Sequence, residues 1–307
     1  MQQLSRRLLV SVFVIFGTVT LVFFLLHWLP GDAVTILLVE AGATPDMIAN
    51  LRHQFGLDRP VAVQYFDYLS STIRGDFGTS LVSGEPVFSK LMGQFPATIG
   101  LTISGSLIAV ILGTTAGILS AMRANRFTDY VIRIISLFGV SMPTFWTSLM
   151  LILIFSVKLQ WFPAIGNGSL SQLVLPACTL GWVGAGLLTR MVRNDVLENM
   201  NEPYVTALRA KGLSEKTIFF RHILRNALIS SITLIGIIVG ELLAGTVVTE
   251  TVFARQGIGK LMVDAIIAKD IPVVQGAILL ISVLFITINI LVDLAYGWID
   301  PRIRESR

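Results

Sequence analysis

Few residues of this 307-residue chain are spaced for bond-making chemistry. The nearest approach to a phosphate-binding loop is Gly257-Ile258-Gly259-Lys260. Such a loop needs a further upstream glycine and a Ser or Thr after the lysine to reach Mg2+. Here that glycine is missing and Leu261 follows the lysine, so the chain is expected to bind no ATP by this motif. The three histidines, His27, His53 and His222, lie too far apart for a close zinc cluster. The single cysteine, Cys178, can form no intrachain disulfide. Acids in the segment 30–96 suit a solvated surface better than a catalytic pair. Glu241 differs from all of these, because it sits within an otherwise apolar run, 228–249. A carboxylate there is costly in a membrane and normally faces a bundle interior or an aqueous cavity. It is either a pathway group, with Gly240 and Gly245 beside it, or a hydrogen-bonded structural acid.

A second constellation is suited to docking. Between 190 and 227 the chain is polar and basic, with Arg190, Arg193, Arg209, Lys211, Lys216, Arg221 and Arg225. Pro203 suits the first position of a helix and Gly212 its C-terminal cap. Ser214 can then cap a second helix through about Asn226. Small residues such as Ala207 and Ala210 permit close approach by a partner, and Gly212 permits a left-handed turn. The sequence predicts a helix–glycine–helix hairpin.

The elements that must carry these groups follow from composition. The chain is 54% hydrophobic and 14% charged, with mean hydropathy +0.77. A soluble domain carries about 25% charged residues, and disorder requires low hydrophobicity. Both classes are excluded, and a net charge of +4 is too weak to suggest nucleic acid. Six continuous apolar stretches, near 8–29, 97–122, 134–157, 173–189, 228–249 and 273–292, are long enough to span a bilayer. The first is too long for a signal-peptide core and reads as an uncleaved span. Pro143 is expected to kink the third. Placing both termini inside puts 15 of the 23 basic residues on the cytoplasmic side, as the positive-inside rule demands. Gly113-Thr114-Thr115-Ala116-Gly117 and Gly236-Ile237-Ile238-Val239-Gly240 are small-residue packing motifs, within the chain or against a second subunit.

The run Tyr204-Val205-Thr206-Ala207-Leu208-Arg209-Ala210-Lys211-Gly212-Leu213 resembles the ATPase-coupling (EAA) loop of bacterial ABC-importer permeases. Thr206 replaces the motif's Glu and Leu208 its second Ala. The peptide-permease form, Ala-Arg-Ala-Lys-Gly-Leu, is matched from Arg209 to Leu213, with Leu208 in place of its first Ala. Leu29-Pro30-Gly31-Asp32, Gly56-Leu57-Asp58-Arg59-Pro60, Gly75-Asp76-Phe77-Gly78-Thr79-Ser80, Ser141-Met142-Pro143-Thr144-Phe145-Trp146, Glu250-Thr251-Val252-Phe253 and Asp300-Pro301-Arg302 are similar to further blocks of that family. Gln256 and Ser230 stand where the family usually has proline. The chain thus resembles the B-type permease of the dipeptide, oligopeptide and nickel importers. The apolar runs and the charge bias themselves predict an all-α, six-span, N-in/C-in chain, with a tail and first span over 1–29, an external region over 30–96 and a five-span core over 97–307. The resemblance implies the type I importer permease fold in the bacterial inner membrane, with the coupling loop at about 190–227. It also implies a second homologous permease, two cytoplasmic ATPases that bind ATP and Mg2+, and an external binding protein that delivers peptides. No cofactor is expected in this chain. Nickel or a metal chelate is the alternative cargo. A self-sufficient secondary transporter is the alternative class, and an intramembrane enzyme a third that lacks its catalytic groups.

Overall fold

A computed structural model describes residues 2–28, 44–54, 56 and 58–299. The blocks at Leu29-Pro30-Gly31-Asp32 and Asp300-Pro301-Arg302, and Leu57 of a third, lie outside the described residues. The described residues form helices joined by short turns, with one isolated bridge between Thr79 and Pro86. In order they are α1 (Gln2–Trp28), α2 (Pro45–Gln54), α3 (Val61–Ile73), α4 (Val87–Met122), α5 (Phe127–Ser141), α6 (Thr144–Leu151), α7 (Leu170–Met200), α8 (Pro203–Ala210), α9 (Glu215–Thr217), α10 (Leu224–Val252), α11 (Ile258–Ile267) and α12 (Ile271–Ile299). Wider π turns over Ile152–Lys158 and Ile218–Ile223 follow α6 and α9.

Five of these helices are long and apolar enough to cross a membrane: Leu9–Trp28, α4, α7, Leu234–Val252 and Ile271–Val292. The expected third span differs from the sequence reading. It is not one kinked helix but two, α5 and the α6 segment, meeting at 111°. The cause is local. Pro143 disfavours helical backbone in the residue before it. Met142 is accordingly extended, at φ −86 and ψ 132, and Pro143 follows at φ −59 and ψ 139. If the bent pair counts as one span, the total is six. The fourth span also runs further than expected, as α7 continues helically to Met200.

The chain divides into two compact units. One comprises 1–97 and 256–286. Its core gathers Val87, Leu91, Ile258, Val273 and Ala277. There α1 meets α3 through aromatic rings: Phe23 lies 5.3 Å from Tyr65 and 5.6 Å from Tyr68. The Tyr65 and Thr20 hydroxyls are 2.8 Å apart, and burial pushes the Tyr68 phenol pKa up. The Gly75-Asp76-Phe77-Gly78 block turns on two positive-φ glycines, and Asp76 Oδ1 accepts the Gly78 amide at 2.9 Å. The turn that follows is pinned by Asp270, which accepts the Ser80 hydroxyl and the Leu81 amide.

The other unit comprises 98–255 and 287–307. Its core lies between α4, α7 and α10, around Leu101, Leu180, Leu188, Val192, Ile238 and Leu242. The Gly113/Gly117 motif packs inside this unit. A Cβ on either glycine would lie 2.8 Å from the Cβ of Leu188 or Val192, so only glycine permits this approach. Gly236 faces Val292 in the same way.

Candidate coupling hairpin and charged sites

Proline opens α8, which then runs for two turns. Val205 is fully buried. Tyr204, Leu208 and Leu213 pack on the same cluster as Val196, Ile218 and Ile223. This apolar edge anchors the short helix to α7 and to the helix that follows. Its other side is open: Thr206, Ala207, Arg209, Ala210, Lys211 and Gly212 are all exposed. The helix ends in a six-residue cap. The Gly212 amide donates to Arg209 O at 2.9 Å and the Leu213 amide to Leu208 O at 3.3 Å, the pattern of a Schellman motif with its apolar contact. Gly212 has φ +77, and open space surrounds the place where a Cβ would stand. Backbone conformation, not crowding, therefore calls for glycine here.

Ser214 begins the second arm, its hydroxyl accepting the Thr217 amide at 3.3 Å. Glu215 clasps Arg209 across the turn, with contacts of 2.8 and 3.3 Å. That clasp holds the Glu215 carboxyl below the usual carboxylate range and raises the Arg209 guanidinium pKa. The second arm does not stop near Asn226. It passes through the π turn and continues as α10 to Val252.

Glu241 lies on the open side of α10, with Ile237, Ala244 and Val248, and makes no hydrogen bond to a described residue. Gly240 is buried, and Gly245 is half-buried with Leu180 at 3.3 Å from the position of a Cβ, so neither lies beside Glu241 on the open face. The buried acid of α10 is Glu250, which accepts the Thr98 hydroxyl at 2.6 Å.

Two charged sites escaped the sequence reading. Asp129, fully buried at the start of α5, accepts Arg193 Nε and Nη2 of α7, both at 2.8 Å. It also accepts the Ser120 hydroxyl at 2.5 Å and the Asn125 amide at 2.9 Å. The available signal was that Asp129 is the only acid between Glu85 and Asp195. The second is Asp195, which accepts the Ser231 hydroxyl at 3.0 Å and ties α7 to α10. At Gly257-Ile258-Gly259-Lys260, Gly257 is extended, α11 starts at Ile258, and Lys260 pairs with Asp264 of the same helix.

Comparison with known proteins agrees with this architecture. The chain is 39% identical to the di/tripeptide transport system permease protein of Pseudomonas aeruginosa, over 99% of both chains. It is 40% identical to the glutathione transport system permease protein of Escherichia coli strain K12, over 97% of both. A solved inward-facing structure of the MetNI methionine ABC transporter superposes with TM-score 0.58 at 20% identity, covering 68% of this chain and 96% of that one. The N-terminal model of binding-protein-dependent transport membrane components matches residues 1–102. The main model matches 113–305, and the chain belongs to the family of binding-protein-dependent transport system inner membrane components: it is a non-enzymatic permease subunit of an ABC importer.

Proposed function

We propose that this permease subunit carries short peptides, delivered on the outer face by a separate binding protein. The observation that carries the cargo assignment is near-full-length similarity to permeases named for di/tripeptides, dipeptides and glutathione. The chain crosses the bilayer six times with both termini inside, and the basic residues support that sidedness. It pairs with a second homologous permease above two ATPases. The exposed face of α8 seats in an ATPase, and its small residues and fixed cap suit a close, oriented contact. ATP binding closes the ATPases, the hairpin follows, and the helices pass from inward- to outward-facing. Nucleotide drives this only because the ATPases bind the two states with different affinity. Glu241 lines the path on the open face of α10, with Gly240 and Gly245 supporting that helix from its packed side.

The test is uptake in cells deleted for the chain and complemented with it. Labelled dipeptide or glutathione should enter only with the chain and an intact ATPase. Nickel uptake that follows the chain while peptide uptake does not would overturn the cargo. Transport that persists without any ATPase would overturn the mechanism.

A further inference from the structure

The start of α5 combines an uncovered apolar stripe with uncompensated positive charge. Phe127, Tyr130, Ile134 and Leu137 recur at helical spacing and are 84%, 51%, 55% and 54% exposed. Arg123, Arg126 and Arg133 stand around the head of that stripe, all exposed. Arg133 lies 5.8 Å over the Tyr130 ring, and among the described residues Arg123 reaches only the Thr128 hydroxyl, at 3.5 Å. The single acid in this stretch is Asp129, which is buried and occupied by Arg193. Among the described residues these three cations therefore carry no acidic partner, at the head of an apolar helix.

We propose that this surface binds an anionic phospholipid, with the headgroup phosphate among Arg123, Arg126 and Arg133 and an acyl chain along the Phe127–Tyr130–Ile134–Leu137 stripe. Charge complementarity selects the occupant. A zwitterionic headgroup presents its own cation to the arginines, whereas phosphatidylglycerol or cardiolipin presents net negative charge. Juxtamembrane arginines contribute to such attraction by about fivefold in affinity each. Aromatic rings such as Phe127 and Tyr130 suit the headgroup level beside them. In the orientation proposed above, the lipid belongs to the cytoplasmic leaflet.

The experiment uses the complete purified importer, exchanged into micelles doped with phosphatidylglycerol or phosphatidylcholine, with retained lipid read by native mass spectrometry. The wild type should retain phosphatidylglycerol preferentially. R123Q/R126Q/R133Q should lose that preference by at least tenfold, whereas R123K/R126K/R133K should keep most of it. Inorganic phosphate in excess should leave the bound lipid in place, because the acyl chain contributes to its binding. Equal retention of the two lipids by wild type, or unchanged preference in the glutamine variant, would overturn the proposal. Displacement by inorganic phosphate would reduce the site to a free-anion site. Cross-linking of Phe127→Cys to the second permease would assign the stripe to that subunit instead.

Discussion

Replacing Asp129 by Asn should destabilise the fold more than any single surface change, and the reason can be worked through. The carboxylate is fully buried and accepts four donors, two of them from Arg193, whose side chain is 15% exposed. Asparagine fills the same volume and keeps an acceptor for Ser120 or Asn125, yet it removes the charge that the guanidinium faces. Leaving one member of a buried ion pair alone costs about 3–5 kcal/mol. The clamp lies near one end of α5 and α7, where water can partly reach Arg193, so the lower end, about 3 kcal/mol, is expected. That is about a hundredfold in the folded-to-unfolded ratio. The assay is reversible unfolding in mixed micelles with increasing dodecyl sulfate, read by tryptophan fluorescence. Arg193→Met on its own should cost a similar amount, and the double variant less than the two together, because no charge then remains unpaired. A loss under about 1 kcal/mol for Asp129→Asn, or strict additivity in the double variant, would refute the idea that this pair acts as a buried unit.

Other outcomes follow from the hairpin and the spans. Gly212→Val should keep the chain inserted and assembled yet lower transport-coupled ATP hydrolysis, since a left-handed L-residue costs roughly 1–2 kcal/mol and a β-branched one more; full coupling with normal assembly would count against a docking role. Glu241→Gln should change the transport rate or cargo preference while assembly is preserved, and unchanged uptake would remove Glu241 from the path. The Arg209–Glu215 clasp should weaken as pH falls: a depressed carboxylate stabilises above its ordinary pKa and loses that contribution as pH drops through the lowered folded value. Hairpin ordering, followed by hydrogen exchange in the leucines at 208 and 213, should therefore decline only in acid, and Glu215→Gln should remove the dependence. Gly117→Leu should impair folding in membranes, because its side chain would enter the space of Val192 and Thr189 O, and protease resistance equal to wild type would contradict that packing.

Much of this architecture is readable from residue type because the bilayer imposes a length on every apolar run. Stretches near 8–29, 97–122, 228–249 and 273–292 become helices that contain or nearly contain them. The break in the third span at Pro143 is legible in the sequence but its size is not, because hydropathy does not register direction: both sides of Pro143 are apolar, yet the chain turns by 111° there. Pro203, Gly212 and Ser214 announced the hairpin because each has a backbone preference that acts locally. The continuation of its second arm into α10 was hidden, since Arg221, Arg225 and Asn226 separate the short helix after Ser214 from the apolar run at 228–249, while Ile218, Phe219 and Ile223 are buried on its other side. Asp129 and Arg193 were invisible as a pair because 64 residues separate them and only the α5–α7 packing brings them together. Glu241 stood out by its surroundings, but which side of α10 it occupies depends on how that helix rolls against α7.

The unbroken helical path from Glu215 to Val252 has a mechanical consequence. At 1.5 Å per residue, the chain from Phe219 to Glu241 behaves as a shaft about 33 Å long, with no proline in its course and with its two glycines, Gly236 and Gly240, both buried against neighbouring structure. Its one compliant joint is the π turn at Ile218–Ile223, at the hairpin end. In the coupling role proposed for the hairpin, a twist applied there would travel along α10 with little slack, while sideways bending would be absorbed at the joint. On that proposal the gearing favours rotation over tilt as the motion that would reach Glu241.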